Sequence, residues 1–281
     1  MSGMQSNAWI AAPATALVAW LLLICNQTIR PILPLDAPNH GRKQHARSTP
    51  LAGVAMVPMV AATLLANGKI AACAAALTCA AVGWIDDWTK ERGVDFDWRI
   101  KAGVLLAACV TLASSAASPI EAPLRFFAMT SLAFVLINAT NFLDNTDGVC
   151  VSLAATTLLI AEGAQGPFAG AAFAGLGFLV FNWPIARAFA GDAGAYALGV
   201  CVAAQCVERP IDTLGLAPFA IQLFDFAQVV SVRLCCGLKP WVGDRRHVTH
   251  WLLRLSVPRV LVAPVLALTA TAIAHLIGAL L

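Results

Sequence analysis

The stretch that decides the fold is Ile70 to Asp87, IAACAAALTCAAVGWIDD, an uncharged run closed by two adjacent carboxylates. A run this apolar reads as a membrane helix, although residues 70–85 fall just short of the roughly 17–25 residues that a perpendicular span takes. Working outward, similar runs lie near 8–26, 51–66, 101–117, 124–143, 149–161, 167–181, 195–207, 211–231 and 257–281. Composition agrees, since 59% of the 281 residues are hydrophobic and 12% charged, against about 25% charged in a soluble domain. Small residues, as in Ala169–Gly177 (AGAAFAGLG), let helix backbones approach closely in lipid. The expectation is an all-α polytopic membrane protein, a single domain over 1–281 with about ten transmembrane helices in one bundle.

Charge orients that bundle. With the N-terminus outside, fifteen of the eighteen Lys and Arg residues fall on inside loops, leaving Lys69, Arg125 and Arg209 outside. The positive-inside rule therefore places both termini outside. The same parity gathers eleven of the fifteen acids, with His40, His45, His247 and His250, on the cytoplasmic side. Chemistry is expected there, with the opposite loops as passive scaffold. A net charge of +3 and the absence of a long basic run argue against a nucleic-acid partner. No Lys or Arg precedes Arg30, so the first run is expected to be a retained helix rather than a secretory signal. Nine cysteines without a C-x-x-C pair read as small apolar packers.

Five polar constellations interrupt the runs on that side. Asp36-Ala-Pro38-Asn39-His40-Gly-Arg42-Lys43-Gln-His45 reads equally as a cationic anchor or a ligand loop. Asp86-Asp87 ends a helix, where negative charge is disfavoured, so a role in holding Mg²⁺ or positioning a proton outweighs a solvated end. In Asn138-Ala-Thr-Asn141-Phe-Leu-Asp144-Asn145-Thr-Asp147-Gly148, helical spacing puts 138, 141 and 145 on one face, and 141 with 144. That exceeds what interhelical glue takes. Asn182-Trp-Pro184 breaks a helix ahead of Gly191-Asp192-Ala-Gly194, a turn where backbone can approach a ligand. Asp244-Arg245-Arg246-His247-Val-Thr-His250 offers guanidinium forks and imidazoles suited to a diphosphate, against the plainer reading of a basic loop on anionic lipid. The absence of Walker, H-E-x-x-H and G-x-S-x-G patterns disfavours those hydrolases and metalloproteases.

Taken in chain order, these segments resemble the polyprenyl-phosphate N-acetylhexosamine-1-phosphate transferase family, the WecA-, TagO- and MraY-like enzymes of glycosyltransferase family 4. Asp36, Pro38, Arg42, Lys43 and His45 meet its D-x-P-x-x-R-K-x-H loop, and Asp86 and Asp87 its Asp-Asp pair. Asn138, Asn141, Asp144, Asp147 and Gly148 meet the N-x-x-N-x-x-D-G-x-D-G segment; Asn182, Pro184, Gly191, Asp192 and Gly194 the F-N-x-P and G-D-x-G pair. Asp244, Arg245, His247 and His250 meet D-R-x-H-x-x-H. The chain departs from the pattern at Asn145, where the family has Gly, at Val149-Cys150, at Ala195, where it has Ser, and at Thr249, where it has His. Its Asp-Arg-Arg-His loop stands nearer the WecA and TagO branch.

The resemblance implies transfer of a sugar-1-phosphate, N-acetylglucosamine-1-phosphate first among the candidates, from a UDP-amino sugar to polyprenyl phosphate, releasing UMP. It implies catalytic roles for Asp86, Asp87, Asp147, His247 and His250, and Mg²⁺, or Mn²⁺ in its place, on Asp192 with Asp86 and Asp87. Asp86 or Asp87 deprotonates or orients the acceptor, with a covalent aspartyl intermediate as the open alternative. Lys43, His45, Asn138, Asn141, Asp144, Asn182, Arg245 and Arg246 bind the donor or order the site. The implied setting is the bacterial inner membrane with the active site facing the cytoplasm, and the resemblance admits a homodimer. Three rival classes fit the residues less well. A secondary transporter predicts acids near the midplane in related repeats, whereas these acids crowd one face. A non-catalytic lipid-binding member would have no use for Asp86, Asp87, Asp147 and Asp192 together. A CDP-alcohol phosphotransferase has a D-G-x-x-A-R motif, which Asp147-Gly148-Val149-Cys150-Val151-Ser152 does not match.

Overall fold

The computed structural model describes every residue except 1–4, 30, 37–47, 95, 210, 211, 240–242, 244 and 281. The chain forms α1 (Ala11–Thr28), a two-residue hairpin pair β1 (Leu35–Asp36) and β2 (Thr49–Pro50), α2 (Val57–Ala66), α3 (Ile70–Glu91), α4 (Trp98–Ala116) and α5 (Pro123–Phe142). It continues with α6 (Val149–Glu162), α7 (Ala169–Asn182), α8 (Gly191–Val207), α9 (Thr213–Leu216), α10 (Ala220–Cys235), α11 (Val248–Arg254) and α12 (Arg259–Leu280). All ten apolar runs fall on helices. Six of these, Asn7–Thr28, Ile70–Glu91, Trp98–Ala116, Pro123–Phe142, Ala217–Cys235 and Arg259–Leu280, are long and apolar enough to cross a membrane. Gly53–Ala66, Val149–Glu162, Ala169–Asn182 and Gly191–Val207 are apolar but shorter.

The centre of the bundle is α8, GDAGAYALGVCVAAQCV, which is buried on every side from Ala193 to Val207. A helix apolar all round belongs in an interior, and its Ala and Gly residues let α3, α5 and α6 pack directly against it. Most of the core is one cluster running through α1 to α8. A second, smaller cluster joins Val149 and Leu153 of α6 to Ile221, Val262, Ala263 and Leu266, with Leu252 and Leu253 of α11 against it. Six cysteines are buried as expected, but Cys235 and Cys236 at the end of α10 are exposed.

One end of the bundle is tied together by short backbone links. In the hairpin Leu35 pairs with Pro50 and Asp36 with Thr49. The Phe189 N–H donates to Pro50 O and the Ala52 N–H to Phe189 O, both at 3.0 Å. Pro50 and Ala52 are thus anchored beside the entry to α8. At the opposite end Lys69 pairs with Glu208 at 2.6 Å and Arg209 Nη1 donates to Ala161 O at 2.9 Å.

Candidate active site

Two helix ends meet at the carboxylates. A Cβ on Gly83 of α3 would lie 2.6 Å from the carbonyl carbon of Asp192, so glycine is what lets the backbones of α3 and α8 touch. One turn further on, Asp87 Oδ1 accepts from the Asp192 N–H at 3.1 Å and Oδ2 from the Ala193 N–H at 3.3 Å. Gly191, at φ +62°, turns the chain into α8, and its N–H donates to Asp144 Oδ2 at 2.9 Å. Asp86 and Asp87 are buried. Asp192 keeps 13% of its side chain exposed.

Burying three carboxylates requires compensating charge, and two lysines supply it. Lys101 of α4 donates to Asp86 Oδ2 and to Asp192 Oδ2, each at 2.5 Å. Lys90, one turn past Asp86, pairs with the same two oxygens at 2.7 and 2.9 Å. Asn141 Nδ2 donates to the other Asp192 oxygen at 2.9 Å.

The last polar loop forms the other half. His247 Nδ1 lies 2.8 Å from Asp225 Oδ2, and the Val248 N–H donates to Asp225 Oδ1 at 2.6 Å. The His250 ring follows, with its centroid 6.0 Å from that of His247. His250 Nε2 is buried without a hydrogen-bond partner among the described residues. Burial first, then the charges of Arg245 and Arg254 and the neighbouring His247, push this imidazole down to about 4. Arg245 and Arg246 contribute backbone carbonyls, which accept from Arg254 Nη2 at 3.0 Å and Gln228 Nε2 at 2.7 Å.

The C-terminal end of α5 and the turn after it join the two halves. Asn141 reaches Asp192, and the Phe142 ring meets His247 edge-on at 5.8 Å. Asp144 holds Gly191, and Asn145 Oδ1 accepts from Thr249 Oγ1 at 2.7 Å. Asp147 Oδ1 accepts from Arg259 Nη2 at 2.7 Å. Five side chains within seven residues thus address α8, α11 and α12.

Several sequence expectations change in detail. The helix carrying Asp86 and Asp87 does not end there but runs to Glu91, so no helix terminus acts on the pair, and direct contact with α8 holds it instead. Asp192 sits in the first turn of α8 rather than in a free turn. The common face of 138, 141 and 145 dissolves because α5 stops at Phe142. Asn138 turns back to Phe134 O of its own helix at 2.8 Å. Asn182 Nδ2 donates to Ala188 O at 2.9 Å, closing the loop that leads into α8. Lys43, His45 and Asp244 lie outside the described residues.

The sequence reading missed Lys90, Lys101, Asp225, Thr249 and Arg259 as members of this assembly. Asp225 carried a usable signal, because a lone acid inside an apolar run is a functional candidate by default. Lys101 carried none, since its partners come from other helices.

Among the described residues no group of three His, Cys, Asp or Glu side chains is arranged to hold a metal alone. The donor set still suits a divalent ion: Asp86 Oδ2 and Asp192 Oδ2 already converge on one cationic nitrogen of Lys101. Mg²⁺ takes one or two carboxylates and completes its shell with substrate phosphates and water.

Buried carboxylates and the lysines paired with them are gathered at one end of an apolar helical bundle. The chain belongs to glycosyl transferase family 4, whose family model matches residues 69–209. It is 31% identical over 234 residues to a phospho-N-acetylmuramoyl-pentapeptide-transferase of Nostoc punctiforme, a match covering 72% of this chain and 63% of that protein. It is 28% identical over 261 residues to an undecaprenyl-phosphate alpha-N-acetylglucosaminyl 1-phosphate transferase of Yersinia pestis, covering 78% of this chain and 69% of that one.

Proposed function

We propose that the protein transfers a sugar-1-phosphate, N-acetylglucosamine-1-phosphate by preference, from a UDP-amino sugar to polyprenyl phosphate. The products are polyprenyl-diphosphate-sugar and UMP, for cell-envelope polysaccharide synthesis. The observation that carries this reading is the end of α5, which links the Asp86, Asp87 and Asp192 cluster to the His247 loop. The names of both relatives describe phospho-sugar transfer, and one names undecaprenyl phosphate as the acceptor.

In this reading a lipid phosphate oxygen attacks the β-phosphorus, a new P–O bond forms, and UMP leaves with the electrons of the broken bond. Every reacting group is anionic, so charge neutralisation and in-line positioning dominate catalysis. Mg²⁺, or Mn²⁺ in its place, held by Asp192 and Asp86, would neutralise the diphosphate oxygens. Lys90 and Lys101 supply further positive charge beside them. Asp87, held by two N–H groups of α8, fixes the cluster, which leaves Asp86 to orient the acceptor phosphate or take its proton. Arg245, Arg246, His247 and His250 hold the donor diphosphate, and Lys43 and His45 the nucleotide side. Asn138, Asn141, Asp144, Asp147 and Asn182 order the pocket. The whole chain acts as one domain in the bacterial inner membrane, its carboxylate end facing the cytoplasm.

The test is UMP release by purified protein in detergent, with UDP-N-acetylglucosamine, polyprenyl phosphate and Mg²⁺ each omitted in turn. Release that requires all three is expected. Folded protein that releases no UMP with any UDP-amino sugar overturns the proposal.

A further inference from the structure

Asp225 lies within α10, fully buried, in a helix otherwise apolar enough to cross a membrane. A buried carboxylate is costly unless both oxygens are satisfied. Both are, and by consecutive residues of one loop: Oδ2 meets His247 Nδ1 at 2.8 Å, and Oδ1 accepts from the Val248 N–H at 2.6 Å. A carboxylate accepts from both partners, so the hydrogen on the ring belongs on Nδ1, and Nε2 is left as the nitrogen for substrate. The ring is held from a second side by the edge-on Phe142, which itself stacks on Phe226 at 5.5 Å and lies under the Arg233 guanidinium at 5.2 Å. His250, three residues on, meets no such carboxylate among the described residues. Its Nδ1 lies 3.2 Å from Thr249 Oγ1, and its Nε2 has no partner among the described residues.

We propose that Asp225 is a positioning residue that fixes the tautomer and orientation of His247, so that this imidazole meets the donor through Nε2. The proposal rests on the transferase reading for its kinetic consequence but not for its structural one. An amide at 225 tests it directly, because the Asn side chain keeps the shape and an acceptor for Val248 while its Nδ2 donates to His247 Nδ1 and drives the hydrogen to Nε2.

The experiment combines ¹⁵N spectra of histidine-labelled protein in detergent with UMP-release kinetics. The His247 signals are assigned by their loss in H247Q. Wild-type His247 is expected to carry its hydrogen on Nδ1, and D225N to move it to Nε2. In D225N kcat should fall by about a hundredfold, the scale of a misplaced acid–base group, with KM for the donor unchanged. D225E should recover part of the rate. D225N/H247Q should be no slower than H247Q alone, since a residue acting only through His247 has nothing left to position. Full activity in D225N, or losses that add in the double variant, would overturn the inference. If D225N does not fold, the wild-type spectrum decides, and hydrogen on His247 Nε2 counts against it. Absence of UMP release from the wild type would sink the transferase reading while leaving the spectra to judge Asp225.

Discussion

Lys101 shares Asp86 and Asp192 with Lys90 and is the less exposed of the two lysines. Removing it leaves Lys90 alone against three carboxylates, and losing one member of a buried ion pair costs up to about 3–5 kcal/mol. Lys101→Met should therefore lower the melting temperature sharply, and adding Asp86→Asn should restore part of the loss; a melting curve in detergent reads both. Asp192→Asn keeps an oxygen for the lysines and leaves them Asp86 as an anionic partner, so it should fold at a lowered melting temperature and abolish Mg²⁺-dependent UMP release; unchanged turnover would remove Asp192 from the metal. His250 predicts a pH effect. Its imidazole is held down to about 4 in the folded chain and returns to about 6.5 when unfolded, so the unfolded state binds the extra proton between those values. Stability is complete above about 6.5 and falls as the pH drops toward 4. His250→Gln should flatten the part of the melting-temperature curve that this residue contributes.

At the level of helices, α3 meets α8 at Gly83, where a Cβ would sit 2.6 Å from the Asp192 backbone. Gly83→Ala should push α3 from α8 at about 1–3 kcal/mol and slow turnover more than it lowers the melting temperature, because Asp87 then loses its hold on the Asp192 and Ala193 N–H groups. UMP-release rates set beside melting curves check this. The apolar runs were legible because lipid leaves a helix no alternative. Their ends were not. Residues 86–91 are polar and look like a loop, yet α3 continues through them because α4 and α8 supply ion pairs there. The stripe inferred for Asn138, Asn141 and Asn145 failed for the opposite reason: residues 144–147 leave the helix to bind α8, α11 and α12. Which polar residues matter was readable from the motifs; which of them meet depends on contacts between helices far apart in the chain.

For the molecule as a whole, orientation can be read by labelling. After Cys235 and Cys236, the exposed pair, are replaced by Ser, an impermeant maleimide on intact cells should label Glu121→Cys between α4 and α5. It should spare Val94→Cys between α3 and α4, and inverted membranes should reverse the pattern. The opposite result would turn the carboxylate end outward. One contact at that end also constrains how the sequence can vary. Asn145 and Thr249, two of the places where the chain departs from the family pattern, are bonded to each other at 2.7 Å. Exchanging either alone breaks this bond and leaves Asn145 with Thr146 and Thr249 with His250, so the effects of the two exchanges should not add. The two positions are therefore coupled, and mutational drift in this lineage is expected to change them in concert more often than singly.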